Sequence, residues 1–160
     1  MGRLHTPILC SCLALVAVAP LLAACGGGKA ASATVKLAYN AKLKQKILVG
    51  TNGETLYLFT QDSADSPSCY DDATYHCSKV WPPYRSADKP VPGPGVDAAL
   101  LSTAKRTDGD PQVTYNRHPL YTDAGSAENG LKPDRKTGDL NGQGFLSIWW
   151  VLSSAGKEIR

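Results

Sequence analysis

The residues of this 160-residue chain that could do chemistry are its 5 Cys, its 3 His and a scatter of carboxylates. Cys69 and Cys77 stand close together, with Tyr-Asp-Asp-Ala-Thr-Tyr-His between them. In an oxidising compartment such a pair forms a disulfide. Closing a loop of that length stabilises a fold by about 2.5 kcal/mol on the chain-entropy model. The alternative is a metal site of Cys69, His76 and Cys77 with Asp71 or Asp72. That spacing is not the paired Cys-x-x-Cys of zinc sites, and a redox-active pair would also take the Cys-x-x-Cys form. The spacing therefore predicts a disulfide and no metal site.

The remaining chemical candidates are weaker. Asp139-Leu-Asn141-Gly-Gln143-Gly follows the opening of a calcium loop. Its fifth position is Gln143, and the position that needs a bidentate carboxylate is Trp150. A turn in which Asp139 and Asn141 bond backbone amides accounts for the same residues. His76 and His118 stand alone in loops, and the single Met is Met1, so copper or haem ligation has no second ligand in a recognisable pattern. The chain has neither a Gly-x-Ser-x-Gly nucleophile elbow nor a phosphate-cradling glycine loop. No catalytic set and no cofactor is read from these residues.

The start of the chain says where these residues work. Met-Gly-Arg-Leu-His carries one fixed charge, at Arg3, and an apolar run from Ile8 to Leu22 follows. A basic start, a short apolar run and small residues before a cleavage point define an export signal. The run is short for a membrane-spanning helix, and Pro20 lies near its end. Leu22-Ala-Ala-Cys25 resembles the bacterial lipobox. That resemblance implies cleavage after residue 24 and acylation of the Cys25 thiol, and it discards Cys10 and Cys12 with the signal. Two or three acyl chains, at about 0.8 kcal/mol per buried methylene, anchor a protein without a spanning helix. Residues 25–34 begin with Gly26-Gly-Gly and read as a flexible tether reaching up to ~30 Å. Gly26 is not Asp, so the usual inner-membrane retention signal of a two-membrane cell is absent. The expected location is extracytoplasmic and lipid-anchored, on the outer surface or in the periplasm according to the envelope.

Residues 35–160 are long enough for one domain and not two. The 15 Gly and 11 Pro favour short strands and turns over a helical bundle. A net charge of +3 is too balanced to argue for nucleic acid as partner. Val35–Tyr39 alternates apolar and polar, as a half-buried strand does. Ile47–Val49 and Leu56–Phe59 flank Thr51-Asn-Gly-Glu54, and Asn-Gly predicts a hairpin between them. Pro82–Gly95 reads as a loop, and Asp97-Ala-Ala-Leu-Leu101 predicts the one short helix near residues 97–103, with Asp97 near its first turn. Gln112–Tyr115 and Pro119–Tyr121 read as strands around a tight turn at Asn116-Arg-His118. The final strand is expected over Phe145–Leu152. The fold class is all-β, mainly β with one short helix.

A repeat is visible in these elements. Asn52, Leu56 and Tyr57 recur 64 residues later as Asn116, Leu120 and Tyr121, and Val80-Trp81 is echoed by Ile148-Trp149. Each unit, about 35–95 and 96–160, reads as a hairpin, a variable loop and a Trp-bearing strand. Units of this size cannot each bury a core, so they should pack as one domain. Gly53-Glu-Thr-Leu-Tyr57-Leu-Phe59-Thr-Gln-Asp62 fits a Tyr-x-aromatic-x-x-Asp motif. With Cys77-Ser-Lys-Val-Trp81-Pro-Pro, Gln112-Val-Thr-Tyr115-Asn, Pro119-Leu-Tyr121 and Gly138–Gly144, it is similar to the secreted-repeat bacterial lipoproteins. The second unit departs from the motif: Tyr121-Thr-Asp-Ala-Gly-Ser126 lacks both the aromatic and the terminal Asp. The resemblance implies a tandem-repeat lipoprotein and no particular reaction.

Tyr57 and Phe59 project to one face of their strand, where aromatics usually fill a core, and Asp62 follows where a carboxylate caps a turn. A binding site built from Tyr57, Phe59, Asp62, Tyr121, Asp139 and Asn141 is the sharper reading of the same residues. The leading functional expectation is a non-catalytic binding or envelope-interaction module, held to the membrane by its N-terminal lipid. The alternative is redox or metal and haem handling outside the cytoplasm, using His76, His118 and the aromatic side chains. An enzyme acting on cell-wall polymer is the third.

Overall fold

The computed structural model describes residues 1–2, 34–74 and 76–160. The export signal, Cys25 and the tether up to residue 33 therefore lie outside the described residues, save Met1 and Gly2. Among the described residues no helix is long and apolar enough to cross a membrane.

Strand β1 (Lys36–Asn40) pairs antiparallel with β2 (Gln45–Val49), with Lys36 opposite Val49 and Asn40 opposite Gln45. Asn40 holds the connecting turn, because its Oδ1 accepts the Lys42 and Leu43 amides at 3.0 and 3.2 Å. The hairpin expected around Asn52-Gly53 forms only in part. Val49 bridges Thr55, and the Leu56 amide donates to Leu48 at 3.2 Å. Strand β3 (Tyr57–Phe59) then leaves β2 and pairs with β7 (Trp149–Val151), Tyr57 opposite Val151. The reason lies in the turn. A two-residue type I′ turn needs positive φ at both central residues. Gly53 adopts it (φ 87°), while Asn52 is not among the residues with positive φ. The tight turn is at Asn116-Arg117 instead, where both residues are left-handed (φ 48° and 68°). It joins β5 (Gln112–Tyr115) to β6 (His118–Pro119).

Three further expectations are corrected. The helix read over 97–103 is one turn of 3₁₀ helix at Ala98–Leu100, capped by Asp97 Oδ1 accepting the Ala99 amide at 2.9 Å. Leu101–Ala104 is strand β4, paired with β5 along its whole length. One helical turn fixes several residues for a single hydrogen bond, whereas the ladder offers a bond for each rung. The Trp-bearing strand expected at Val80-Trp81 is a short helix, α1 (Cys77–Val80), with Trp81 directly after it. The last strand is also shorter than expected. Phe145–Ser147 is a 3₁₀ turn, and only Trp149–Val151 pairs as β7.

The result is mainly β: sheets β1–β2, β3–β7 and β4–β5–β6, joined by single bridges such as Tyr57–Tyr121 and Pro83–Tyr121. The β3–β7 pair joins the two halves of the domain, about 35–95 and 96–160, so among the described residues they interlock in one compact body. The central strands are buried on both faces. Leu48, Leu56, Leu58, Leu120 and Leu152 enter one core. Ile47, Val49, Tyr57, Tyr121, Trp149 and Val151 enter the other. Period-two alternation sorts neighbouring residues between these cores, which is why the strands read as nearly unbroken apolar runs.

Candidate functional site

Tyr57 and Tyr121 sit back to back where the units cross. Each amide donates to the other residue's carbonyl at 2.9 Å. Each ring meets its own unit's tryptophan edge-on, Tyr57 with Trp81 at 5.5 Å and Tyr121 with Trp149 at 5.2 Å between centroids. Each hydroxyl crosses to the other unit. Tyr121 donates to Asp62 Oδ2 at 2.8 Å, and Tyr57 donates to Asp134 Oδ2 at 2.6 Å. Asp134 thus supplies the carboxylate that the second unit lacks at Ser126. It lies 13 residues beyond Tyr121, against five from Tyr57 to Asp62. No fixed spacing points to it, and sequence reasoning passed over it.

These carboxylates are saturated. The other Asp62 oxygen accepts both the Ser68 amide and its hydroxyl at 2.7 Å, and Asp134 Oδ1 accepts the Asn141 amide at 2.9 Å. Burial pushes both carboxyls above their ordinary range, and the bonds they accept pull the other way. Burial, with the carboxylate beside each, pushes both phenols far above theirs, so Tyr57 and Tyr121 stay protonated donors. Asp139 is held low, with Oδ2 accepting the Arg135 and Lys136 amides at 2.9 Å. Asn141 Nδ2 donates to the Pro133 carbonyl at 3.2 Å. The calcium-like stretch therefore spends Asp139 and Asn141 on the turn that precedes it, and Gln143 on Val151 and Ile159.

Cys69 and Cys77 form the disulfide, with Cα atoms 5.3 Å apart. Cys69 is buried, and its carbonyl accepts from Arg106 Nη2 at 3.0 Å. Arg106 is itself buried against Asp108, Gln112 and the ring of Tyr70, which ties the disulfide loop to β5. His76 bonds Asp71 at 2.7 Å on the surface, and His118 lies in β6. Among the described residues no group of three or more His, Cys, Asp or Glu is placed to hold a metal.

A groove of about 440 Å³ opens beside the disulfide, lined by Phe59, Gln61, Trp81, Phe145, Leu146 and Trp149, with Cys77 and Val80. Its wall is an aromatic stack. Trp149 lies between Phe59 (4.3 Å, 12°) and Trp81 (3.9 Å, 6°), and Phe145 tilts against Trp81 at 5.9 Å. Trp81 and Trp149 are buried, while Phe59 and Phe145 are half-buried. Leu146 is 71% exposed at the rim. Leu146 and Ser147 are both left-handed (φ 50° and 58°), a conformation that costs non-glycine residues about 1–3 kcal/mol each. Strain of this kind concentrates where a loop is shaped for contact rather than for stability. Of the binding residues expected from the sequence, Phe59 lines this groove. Tyr57, Asp62 and Tyr121 lie in the hydrogen-bonded crossing behind it. The groove was hidden from sequence reading because its walls come from segments some 90 residues apart, Phe59 and Trp149.

No family model, no curated protein and no solved structure matches this chain.

Proposed function

We propose that this protein is an extracytoplasmic lipoprotein, anchored through acylated Cys25, whose β domain is a non-catalytic binding module. The aromatic groove is its ligand face, and that groove is the observation that carries the reading. It joins apolar ring surface to a rim of amide, hydroxyl and carboxylate groups, Gln61, Asn129, Ser68 and Asp72. Concave apolar surface with a few polar groups is the usual make-up of a small-ligand site. A ligand with a flat apolar face and a hydrogen-bonding edge suits it, as the ring of an envelope or extracellular saccharide has. The order of basic start, apolar run and small-small-Cys supports the anchor, and the disulfide fits an oxidising compartment.

The test is made on mature protein carrying Cys25→Ser, titrated with soluble cell-wall glycan fragments while tryptophan emission is followed. Saturable change is expected, weakened tenfold or more by Phe59→Ala and by Leu146→Asp. A flat titration, or one that both variants leave untouched, removes the groove as ligand face. Fractionation of the native host tests the anchor: wild type should sediment with membranes, and Cys25→Ser should not. A Cys25→Ser protein still in the membrane fraction overturns the lipid tether.

A further inference from the structure

We propose that the tip of the β1–β2 hairpin is a second contact with the membrane, docking on the anionic headgroups of a phospholipid bilayer. Charge is segregated along this part of the chain. Residues 35–53 hold Lys36, Lys42, Lys44 and Lys46 with no Asp or Glu, and residues 54–78 hold Glu54, Asp62, Asp65, Asp71 and Asp72 with no Lys or Arg. The small net charge of the whole chain hides this polarity. Lys36 is spent at the base of the hairpin, where its Nζ donates to the Thr51 carbonyl at 2.7 Å. Lys42, Lys44 and Lys46 are exposed, and the ion pairs among the described residues use none of them.

A second basic segment joins them. Asn40 Nδ2 donates to the Gly138 carbonyl at 3.1 Å, which seats the turn carrying exposed Arg135 and Lys136 against the hairpin. The Arg135 and Lys136 amides hold the half-buried Asp139 low, and the charges of Lys136 and Lys42 add to that. On their other side Arg135 and Lys136 share a recess with Glu54, Asp123 and Asp134, so the three hairpin lysines carry most of the free charge. An aromatic ring completes the surface. Tyr39 is 65% exposed and stands directly opposite Lys46 across the ladder, on the same face. Clustered lysines are drawn to an anionic bilayer, each strengthening binding about fivefold. A tyrosine beside them settles at headgroup level, with its ring toward the apolar boundary and its hydroxyl in water. A soluble polyanion would satisfy the lysines but give the ring nothing to enter. The setting rests on the Cys25 anchor. The strand β1 begins directly after the tether and spans about 17 Å, less than the ~30 Å that the tether allows, so the tip reaches the bilayer that holds the acyl chains.

The test is co-sedimentation of mature Cys25→Ser protein with vesicles of phosphatidylglycerol and phosphatidylcholine, and with vesicles of phosphatidylcholine alone. Binding is expected to the anionic vesicles only, and it should weaken as salt screens the lysines. Replacing Lys42, Lys44 and Lys46 together by Gln should weaken it about a hundredfold, at about fivefold for each. Tyr39→Ala should weaken it severalfold. Replacing Lys89, Lys105 and Lys157 by Gln removes the same charge from exposed positions outside the hairpin and should leave binding as it was. All these side chains are exposed, and urea unfolding checks that each variant folds as the parent does. No binding to the anionic vesicles, equal binding to phosphatidylcholine, or equal losses in the two triple variants overturns the surface. Sodium polyphosphate is the soluble counterpart: tighter binding to it than to the vesicles, untouched by Tyr39→Ala, makes a polyanion the occupant and overturns the bilayer. The protein in this test carries no acyl chain, while the anchor is judged by fractionation of the native host, so either reading can fail without the other.

Discussion

Phe59 and Asp123 occupy the same place in the two units, two residues beyond the paired tyrosines Tyr57 and Tyr121. In the first unit that place holds an aromatic ring, stacked on Trp149 at the wall of an apolar groove. In the second it holds a carboxyl group, buried in a polar recess with one oxygen unpaired. The tyrosines themselves are treated alike: each bonds the other's backbone and hands its hydroxyl to a carboxylate of the opposite unit. The two tyrosines are thus held alike while the positions two residues beyond them differ in chemistry. A difference beside a shared arrangement makes surfaces of different chemistry.

The comparison breaks most readily at the tryptophans. Trp149 has a stacked ring on both faces and the edge of Tyr121 as well, whereas Trp81 is stacked on one face. Trp149→Ala should cost about 3–5 kcal/mol, by the usual scale for deleting a buried aromatic, and more than Trp81→Ala. Urea unfolding measures both, and a larger loss at Trp81 would show that the groove wall rests on the first unit instead.

The next effect sharpens the contrast between Phe59 and Asp123. A carboxyl raised from 3.8 to about 6 binds its proton more tightly in the folded state, so folding is favoured at low pH. That advantage is full below the unfolded value of about 4 and is lost as pH climbs through about 6. It amounts to at most about 3 kcal/mol, at 1.36 kcal/mol for each pH unit. Asp108, held low by Arg106 and Arg85, acts in the opposite sense at acid pH. The comparison of wild type with Asp123→Asn isolates the term. Wild type should lose stability relative to the variant between pH 4 and 6.5, and parallel melting curves across that range would refute it.

The smallest effect concerns what the units share. Tyr57→Phe and Tyr121→Phe each leave one half-buried carboxylate short of a donor, which costs about 1–3 kcal/mol. The losses should match within about 0.5 kcal/mol if the crossing is symmetric in energy as in geometry. Unequal losses in thermal melts would assign the crossing to one unit.

Local chemistry was legible in the residues. The Cys69–Cys77 spacing pointed to the disulfide and the alternation at Val35–Tyr39 to β1, while the helix read from Asp97 shrank to a single 3₁₀ turn. Long-range pairing was not. Asn52-Gly53 promised a full hairpin, but β3 gains more from β7 and Tyr121 than from continuing beside β2. Asp97-Ala-Ala-Leu-Leu101 reads as a helix, but Leu101–Ala104 pairs with the edge of β5 that β6 leaves free and is a strand.

What the chain by itself determined is its β character and its disulfide, because short-range sterics, loop entropy and side-chain periodicity depend only on neighbouring residues. Only the tertiary structure decided which tyrosine meets which carboxylate, that Asp134 stands in for a missing motif residue, and that Phe59 and Trp149 share a groove. Those contacts join residues far apart in the chain, and they are settled by the shape of the two cores that the strands divide.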